Sequence, residues 1–355
     1  MGHRRQMADI TQVNDQISIE REGDVALVCI NFPPVNATGI GVRQGLSDAI
    51  AQLNSEGSAK AIGIYAAGRT FVAGADITEF GKPPMSPSLP DTLNVIEASD
   101  IPVICVLHGT TLGGGLELAL AAHARIALEG TRIGLPEVLL GLLPGAGGTQ
   151  RLPRLAGMPF TLDIALSGRQ VGAKEALEKG AIDRIASGDP RDVALGAAQE
   201  VVAGTLPTRR TRDLDAELDQ AAIDGTRAML KKKQAHLVSP HLIVDAVEQS
   251  TGDLDAGLKF ERDSFMACIN TPQRAGLIHA FFGERAVSNI PEAKGATREI
   301  AKIGVIGGGT MGSGIATSCL IAGYAVRLIE VAQDGLDRGM ATITSLSRGR
   351  SARYG

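Results

Sequence analysis

Residues 101–150, IPVICVLHGTTLGGGLELALAAHARIALEGTRIGLPEVLLGLLPGAGGTQ, constrain the fold of this chain more than any other stretch. They open as a β-branched apolar strand (Ile101, Val103, Ile104, Val106) that runs into His108 and Gly109. Three consecutive glycines, Gly113, Gly114 and Gly115, then lead into an apolar segment that reads as a helix over 116–122, with Glu117 near its start. A second carboxylate, Glu137, follows Pro136, and a further glycine-rich run occupies 145–148. Glycines lacking Cβ let a ligand approach the main chain, and a helix N-terminus offers N–H groups without intrahelical acceptors at the positive end of its dipole. Such an arrangement can hold an oxyanion. Two carboxylates delivered to one apolar pocket perturb each other's proton affinity, a common way to keep one acid and one base near neutral pH. Read as a tight turn followed by two solvated glutamates, the same residues carry no chemistry. The pattern alone leaves both readings open.

GGGLELAL, followed by LPEVLLGLLPGAGGTQRLPRL and preceded by TFVAGADITEF at 70–80, resembles the crotonase (enoyl-CoA hydratase/isomerase) family, with three separated motifs in the family's order. The likeness covers about 13–203. It implies a core of ββα turns stacked in a spiral. Carried over residue by residue, it implies that Ala75 and Gly114 form an oxyanion hole with their backbone N–H groups. In the family's mechanism both glutamates hold the water; Glu117 is the base for its attack on C3, and Glu137 supplies the proton to C2. Many relatives keep one glutamate or neither, so retention of both implies hydration of 2-trans-enoyl-CoA. Moving a proton between C4 and C2 needs only one such group, so Δ3-Δ2-enoyl-CoA isomerase activity is implied as well. Hydration needs no cofactor, because the CoA thioester is the substrate.

Composition narrows the remaining classes. The 355 residues suggest two or three domains, and 44% hydrophobic content suffices for real cores. A net charge of −4, with 3% aromatic residues and no Trp, argues against a nucleic-acid surface. Cys29, Cys105, Cys268 and Cys319 show no CxxC spacing and read as buried thiols of a reducing compartment. The histidines fall into no metal-ligand pattern, so no metal is expected. The start, MGHRRQMADI, lacks the apolar region of a signal peptide, and residues 1–9 read as a leader. No apolar run is long enough to span a membrane. A soluble, cytoplasmic protein is expected.

Along the chain, 17–22 and 24–32 read as strands joined at Gly23, 42–54 as an amphipathic helix and 61–66 as a strand. Four prolines make 81–90 an irregular loop. Helical signals follow at 161–167, 173–179 and 190–203. From about 205 the texture turns charged and helix-prone, and 288–297 reads as a linker. A second motif then appears, with a strand at 301–306, GGGTMG at 307–312, a helix at 313–322 and a strand at 325–330. This is G-x-G-x-x-G in its strand–turn–helix context, followed by an acid. Gly307, Gly309 and Gly312 would cradle a pyrophosphate, and Glu330 would bind the ribose of NAD and repel the 2′-phosphate of NADP. One βαβ unit is not a complete dinucleotide domain, so NAD is expected only with a completed Rossmann part.

The order of these parts resembles the multifunctional β-oxidation enzymes that fuse 2-enoyl-CoA hydratase to 3-hydroxyacyl-CoA dehydrogenase, and 270–285 (NTPQRAGLIHAFFGER) is similar to their linker region. The residues that would carry dehydrogenation lie beyond the last residue given. The chain therefore reads as truncated early in the dehydrogenase part, and hydride transfer is not expected of it. The expected class is α/β: a leader at 1–9, a crotonase-type ββα spiral core at 10–204, a helical region and linker at 205–297, and the first βαβ unit of a Rossmann fold at 298–355. The resemblance also implies a homo-oligomer, trimer or hexamer, or a thiolase partner. Two other readings stand beside hydration: the dehydrogenase of the full-length fusion, and a non-catalytic crotonase-fold scaffold.

Overall fold

The computed structural model describes residues 9–354 apart from Ile77, Thr78, Phe80, Gly81, Pro84, 288–294 and 296–298. The leader expected at 1–9 therefore lies outside the described residues save Asp9, and the linker expected at 288–297 save Gly295. The chain separates into two compact units, Met1–Gly283 and Glu284–Gly355.

The strands of the first unit are β1 (Asp9–Gln12), β2 (Ile17–Glu22), β3 (Val25–Ile30), β4 (Ala61–Ala66), β5 (Val103–Leu107), β6 (Thr110–Leu112), β7 (Ala124–Leu128), β8 (Arg132–Gly134), β9 (Val171–Gly172) and β10 (Arg184–Ala186). Seven of them form one sheet in the order β1-β2-β3-β4-β5-β7-β10. The β1–β2 and β2–β3 pairs are antiparallel, and every later pair in that sheet is parallel. The central strands VALVCI, AIGIYA and VICVL are almost continuously apolar, as parallel strands covered on both faces must be.

One face packs on α1 (Ile40–Glu56), α2 (Leu89–Glu97), α3 (Gly114–Ala121), α4 (Gly148–Ala156) and α5 (Met158–Ser167). Val28, Ile64 and Cys105 of the sheet share that core with Leu46, Ile96, Leu118, Leu152 and Ile164 of the helices. Short α6 (Ala173–Glu178) precedes α7 (Pro190–Val202), which covers the opposite face. There Ala194, Ala197 and Ala198 meet Leu27, Ile104 and Ile126. Gly63 permits that approach, since a Cβ on it would lie 3.0 Å from the Ala194 carbonyl oxygen.

Leu89 and Pro90 belong to α2, so the loop expected over 81–90 ends at Ser88. The Ser88 side chain and Asp91 form a reciprocal capping box there. Beyond residue 205, α8 (Gln220–Lys233), α9 (Ser239–Glu248) and α10 (Leu254–Ile269) add Ile223, Leu230, Ile243, Val247 and Cys268 to the same large core. The chain then enters α11 (Pro272–Val287).

The second, smaller sheet of this unit, in the order β6-β8-β9, places the glutamate-bearing loops. Its parallel register Thr110↔Arg132, Thr111↔Ile133, Leu112↔Gly134 sets the residues that follow β6 beside those that follow β8. The Gly113 N–H donates to the Gly134 carbonyl at 2.9 Å, which extends the pairing by one step.

In the second unit, β11 (Lys302–Ile306), α12 (Thr310–Ile321) and β12 (Ala325–Ile329) form a βαβ turn, and α13 (Gln333–Tyr354) follows. The two strands are parallel and in register from Lys302↔Ala325 to Ile306↔Ile329. Val305, Ala316 and Ile343 form the small core. Among the described residues of the whole chain no helix is long and apolar enough to cross a membrane.

Candidate active site

The N-terminus of α3 is the floor of the site. Gly113, with φ 51° and ψ −124°, turns the chain from β6 into the helix, in a region closed to residues with a Cβ. Gly115 is held to glycine for a different reason: a Cβ there would lie 2.0 Å from the Val72 carbonyl oxygen. That close approach lets residues 72–75 run across the helix end, anchored where Leu112 N–H donates to Val72 O (3.2 Å) and Thr38 N–H to Gly74 O (2.9 Å). The two expected oxyanion donors are thereby neighbours, since the Ala75 nitrogen lies 4.0 Å from where a Cβ on Gly114 would stand. Gly114 is the first residue of α3, so its N–H has no intrahelical acceptor. Ala75 is exposed.

Glu117, one turn into α3, is 3% exposed. Its Oε1 accepts from the N–H groups of Ala146 (2.8 Å) and Gly148 (2.9 Å), at the start of α4. Among the described residues no protein donor reaches its Oε2. Glu137 opens a single 3-10 turn, Glu137–Leu140, which ends at Gly141 in the left-handed region. Its carboxylate lies over Gly113, where a Cβ would come within 2.7 Å of Oε1. Its Oε2 is buried without a hydrogen-bond partner among the described residues. The β6–β8 register thus brings the two glutamates to the same helix end.

Their environments differ. Burial pushes the Glu117 carboxyl above the ordinary range, opposed by the Ala146 and Gly148 N–H groups and by the charges of Arg151 and Arg262. Burial pushes Glu137 much further up, and the charge of Glu117 adds to it. Glu137 is therefore the group that keeps its proton.

A third carboxylate, which the sequence reading did not single out, completes the cluster. Glu261 of α10 is 1% exposed. Its Oε1 accepts from Gly147 N–H (2.5 Å); its Oε2 accepts from Thr149 N–H (2.8 Å) and from the Thr149 hydroxyl (2.5 Å). Burial, followed by the charge of Glu117, pushes its carboxyl up to about 8. One sequence signal could have found it. The buried residues of α10 are Leu254, Gly257, Glu261, Ser264 and Cys268, so the glutamate stands on the inward stripe of a helix.

Beside the site, His108 Nδ1 and the Thr111 hydroxyl are buried without a hydrogen-bond partner among the described residues. Arg69 is exposed. Its carbonyl oxygen would lie 2.2 Å from a Cβ on Gly109, whose φ is 58°. His108 Nε2 pairs with the Gly68 carbonyl at 3.2 Å. Among the described residues no group of three His, Cys, Asp or Glu side chains could hold a metal ion.

In the second unit the glycine run forms a cradle of about 250 Å³, lined by Gly308, Gly309, Thr310, Glu330 and Arg338. Gly307 has φ 93°, and a Cβ on Gly312 would lie 1.8 Å from the Gly307 carbonyl oxygen, which forces helix and loop together. A Cβ on Gly309 would meet nothing within 4 Å, so that side is open. Glu330 Oε2 accepts from Gly308 N–H at 2.6 Å. The structure therefore brings Gly307, Gly309, Gly312 and Glu330 together, and the open loop with an acid at its rim fits a dinucleotide.

A family model described as enoyl-CoA hydratase/isomerase matches residues 20–206. A second, described as 3-hydroxyacyl-CoA dehydrogenase, NAD binding domain, matches residues 302–354. A peroxisomal bifunctional enzyme of Danio rerio is 36% identical over 341 residues, which cover 93% of this chain and 47% of that one. A peroxisomal fatty acid beta-oxidation multifunctional protein of Oryza sativa subsp. japonica is 36% identical over 340 residues, covering 90% and 47%. The chain thus spans about half the length of the curated relatives it matches. Among solved structures, an enoyl-CoA hydratase/isomerase from Pseudoalteromonas atlantica T6c superposes with a TM-score of 0.58 at 22% identity, covering 76% of this chain and 98% of that one. At that identity the likeness speaks for the fold.

Proposed function

Because the chain belongs to the enoyl-CoA hydratase/isomerase family, we propose that it adds water to 2-trans-enoyl-CoA thioesters to give 3-hydroxyacyl-CoA in fatty-acid β-oxidation, with Δ3-Δ2-enoyl-CoA isomerase activity at the same site. The observation that carries this reading is the unequal glutamate pair. Glu117 is held by two N–H groups on one oxygen, and no donor among the described residues takes the other. Glu137 Oε2 is buried without a hydrogen-bond partner among the described residues, and its carboxyl is pushed towards the protonated form.

In the proposed step Glu117 Oε2 takes a proton from water as the oxygen bonds to C3. The C2–C3 π electrons move to C2 and the thioester oxygen. Ala75 and Gly114 N–H groups receive the negative charge on that oxygen, and Glu137 delivers its proton to C2. The proton gained by Glu117 balances the one lost by Glu137, and exchange with solvent resets the pair. An oxyanion donor of this kind is worth about 3 kcal/mol of barrier. For the isomerase, one of the two carboxyls carries the proton from C4 to C2.

For the second unit we propose that Gly307, Gly309 and Gly312 hold the pyrophosphate of NAD and Glu330 its ribose. Bound NAD would supply a hydride acceptor. The fit rests on the open Gly309 side and the left-handed Gly307. The acyl-CoA substrate is the partner of the first unit. For assembly we propose a homo-oligomer, with sedimentation equilibrium separating a trimer or hexamer from a monomer that takes a thiolase partner. For compartment we propose the cytoplasm, on the strength of four free cysteines. The peroxisomal names of the relatives make fractionation the check.

The test of function is steady-state loss of enoyl-thioester absorbance with crotonyl-CoA and a longer 2-enoyl-CoA, for wild type, Glu117→Gln and Glu137→Gln. Turnover by wild type, cut by about 10²-fold or more in each variant, is expected. A folded wild type that binds acyl-CoA without turnover would remove the hydratase reading and favour the scaffold.

A further inference from the structure

The start of α4 offers four consecutive N–H groups, and two glutamates share them alternately. Ala146 and Gly148 donate to Glu117; Gly147 and Thr149 donate to Glu261. The peptide group between Ala146 and Gly147 is gripped at both ends. Its carbonyl accepts from Arg151 Nη1 at 2.9 Å, and its N–H donates to Glu261. A planar peptide fixed at both its oxygen and its nitrogen cannot rotate, which sets the directions of the N–H groups on either side. Those neighbouring groups are the pair that holds Glu117 Oε1. Without Glu261, the Gly147 and Thr149 donors would be buried beside a single remaining carboxylate. Glu117 Oε2, the oxygen needed for water, would then be drawn into capping the helix.

We propose that Glu261, which lies on α10 outside the residues matched to the hydratase family, is a positioning residue of the Glu117–Glu137 pair, and that it orients Glu117 by clamping Gly147 and Thr149. The proposal rests on the hydratase reading above for its kinetic consequence, although the clamp itself does not. Once ionised, its carboxylate also repels a second negative charge at the cluster, and Glu137 is raised by Glu117 and, less, by Glu261. The other charged and titratable groups on the elements packed around Glu261 have partners of their own, among them His241 on α9 with the Gln234 carbonyl, and on α10 Asp255 with Arg212 and Lys259 with Asp263. Glu117 faces it from α3. On α4, Arg151 is paired with Glu97 and Arg154 bonds the Leu214, Gln150 and Gly252 carbonyls. On α9, Asp245 and Glu248 are paired with Arg227. On its own helix Arg262 lies over the Phe265 ring.

The experiment measures crotonyl-CoA hydration by the full chain from about pH 5 to 10. Wild type is compared with Glu261→Gln, Glu261→Asp, Thr149→Val and Thr149→Ser, with thermal unfolding of each. Glu261→Gln should lower kcat by about 10- to 100-fold with KM within about twofold. Its alkaline limb should move to lower pH, because Glu137 loses a repelling neighbour. Glu261→Asp, which keeps the charge, should return the limb to the wild-type pH. A folded Glu261→Gln with wild-type kcat and pH profile overturns the proposal, whatever its melting temperature.

If Glu261→Gln does not fold, Thr149→Val decides. It removes one donor to Glu261, so several-fold lower kcat and a lower alkaline limb, both restored in Thr149→Ser, support the clamp; unchanged values refute it. If wild type turns over no enoyl-CoA, the hydratase reading fails separately. The clamp is then read from the infrared carboxyl band of Glu137, assigned by difference with Glu137→Gln. A band that titrates at lower pH in Glu261→Gln or Thr149→Val supports it, and an unmoved band overturns it.

Discussion

Gly113→Ala is the sharpest test of how the loop geometry sets the chemistry. Gly113 has φ 51° and ψ −124°, and a Cβ on it would stand 2.7 Å from Glu137 Oε1. Ordinary contact begins near 3.4 Å, so the carboxylate must retreat by about 0.5–0.7 Å. Glu137 Oε2 has no hydrogen-bond partner among the described residues to resist that movement. A misplacement of 1 Å at a reacting group costs on the order of 10²-fold, so kcat should fall by about 10- to 100-fold. KM should stay within about twofold, since no CoA-binding contact is removed. The backbone strain should cost about 1–3 kcal/mol, a few degrees of melting temperature. The control is Gly196→Ala on α7, where a Cβ meets nothing within 4 Å. It should keep kcat and gain about 0.5–1 kcal/mol of stability through helix propensity. The assay is crotonyl-CoA hydration beside thermal unfolding. A folded Gly113→Ala enzyme with wild-type kcat would refute the placement of Glu137 as proton donor.

Three further outcomes are expected. Arg151 and Glu97 form an ion pair with both side chains 1% exposed, and Arg212 Nε lies 3.4 Å from the same carboxylate, so Arg151→Met, which leaves Glu97 only that longer pairing, should lose about 3 kcal/mol in urea unfolding. The carboxyls of Glu117, Glu137 and Glu261 are all raised, so these three groups bind more protons in the folded chain than in the unfolded one. For Glu261 this window runs from the ordinary value near 4.5 to about 8. Stability from these groups is full below that window and is lost as pH rises through it, so Glu261→Gln should flatten the fall in melting temperature between about pH 5 and 8. NAD should protect the second unit from proteolysis, and Gly312→Val, which drives a side chain into the Gly307 carbonyl, should abolish that protection.

Local pattern and tertiary assembly divide what could be read from the sequence alone. β4 reads directly from AIGIYA at 61–66, because a parallel central strand writes its burial into consecutive residues. The Gly113–Glu117 and Gly307–Gly312 runs are also legible, since each is a strand-to-helix turn whose glycines answer to local steric demands. α4 is harder. It begins inside the glycine run at 145–148 and carries Pro153, both of which read as loop. What holds its first turn is side chains from elsewhere, Glu117 about thirty residues earlier and Glu261 more than a hundred residues later. A carboxylate in FERDS looks like any solvated residue of a charged helix until its neighbours on the inward stripe, Gly257 and Ser264, are seen to be buried with it. The residues that set the proton balance of a site thus come from two sources. Those on the turn itself show as motif; those that close over it from a later helix show only as a polar residue where the period demands an apolar one. A buried carboxylate is costly unless donors await it, and at Glu261 they are the orphan N–H groups of α4. Helix end and glutamate each supply what the other lacks, so Gln substitution at Glu261 tests the assembly of the cluster and not only one bond within it.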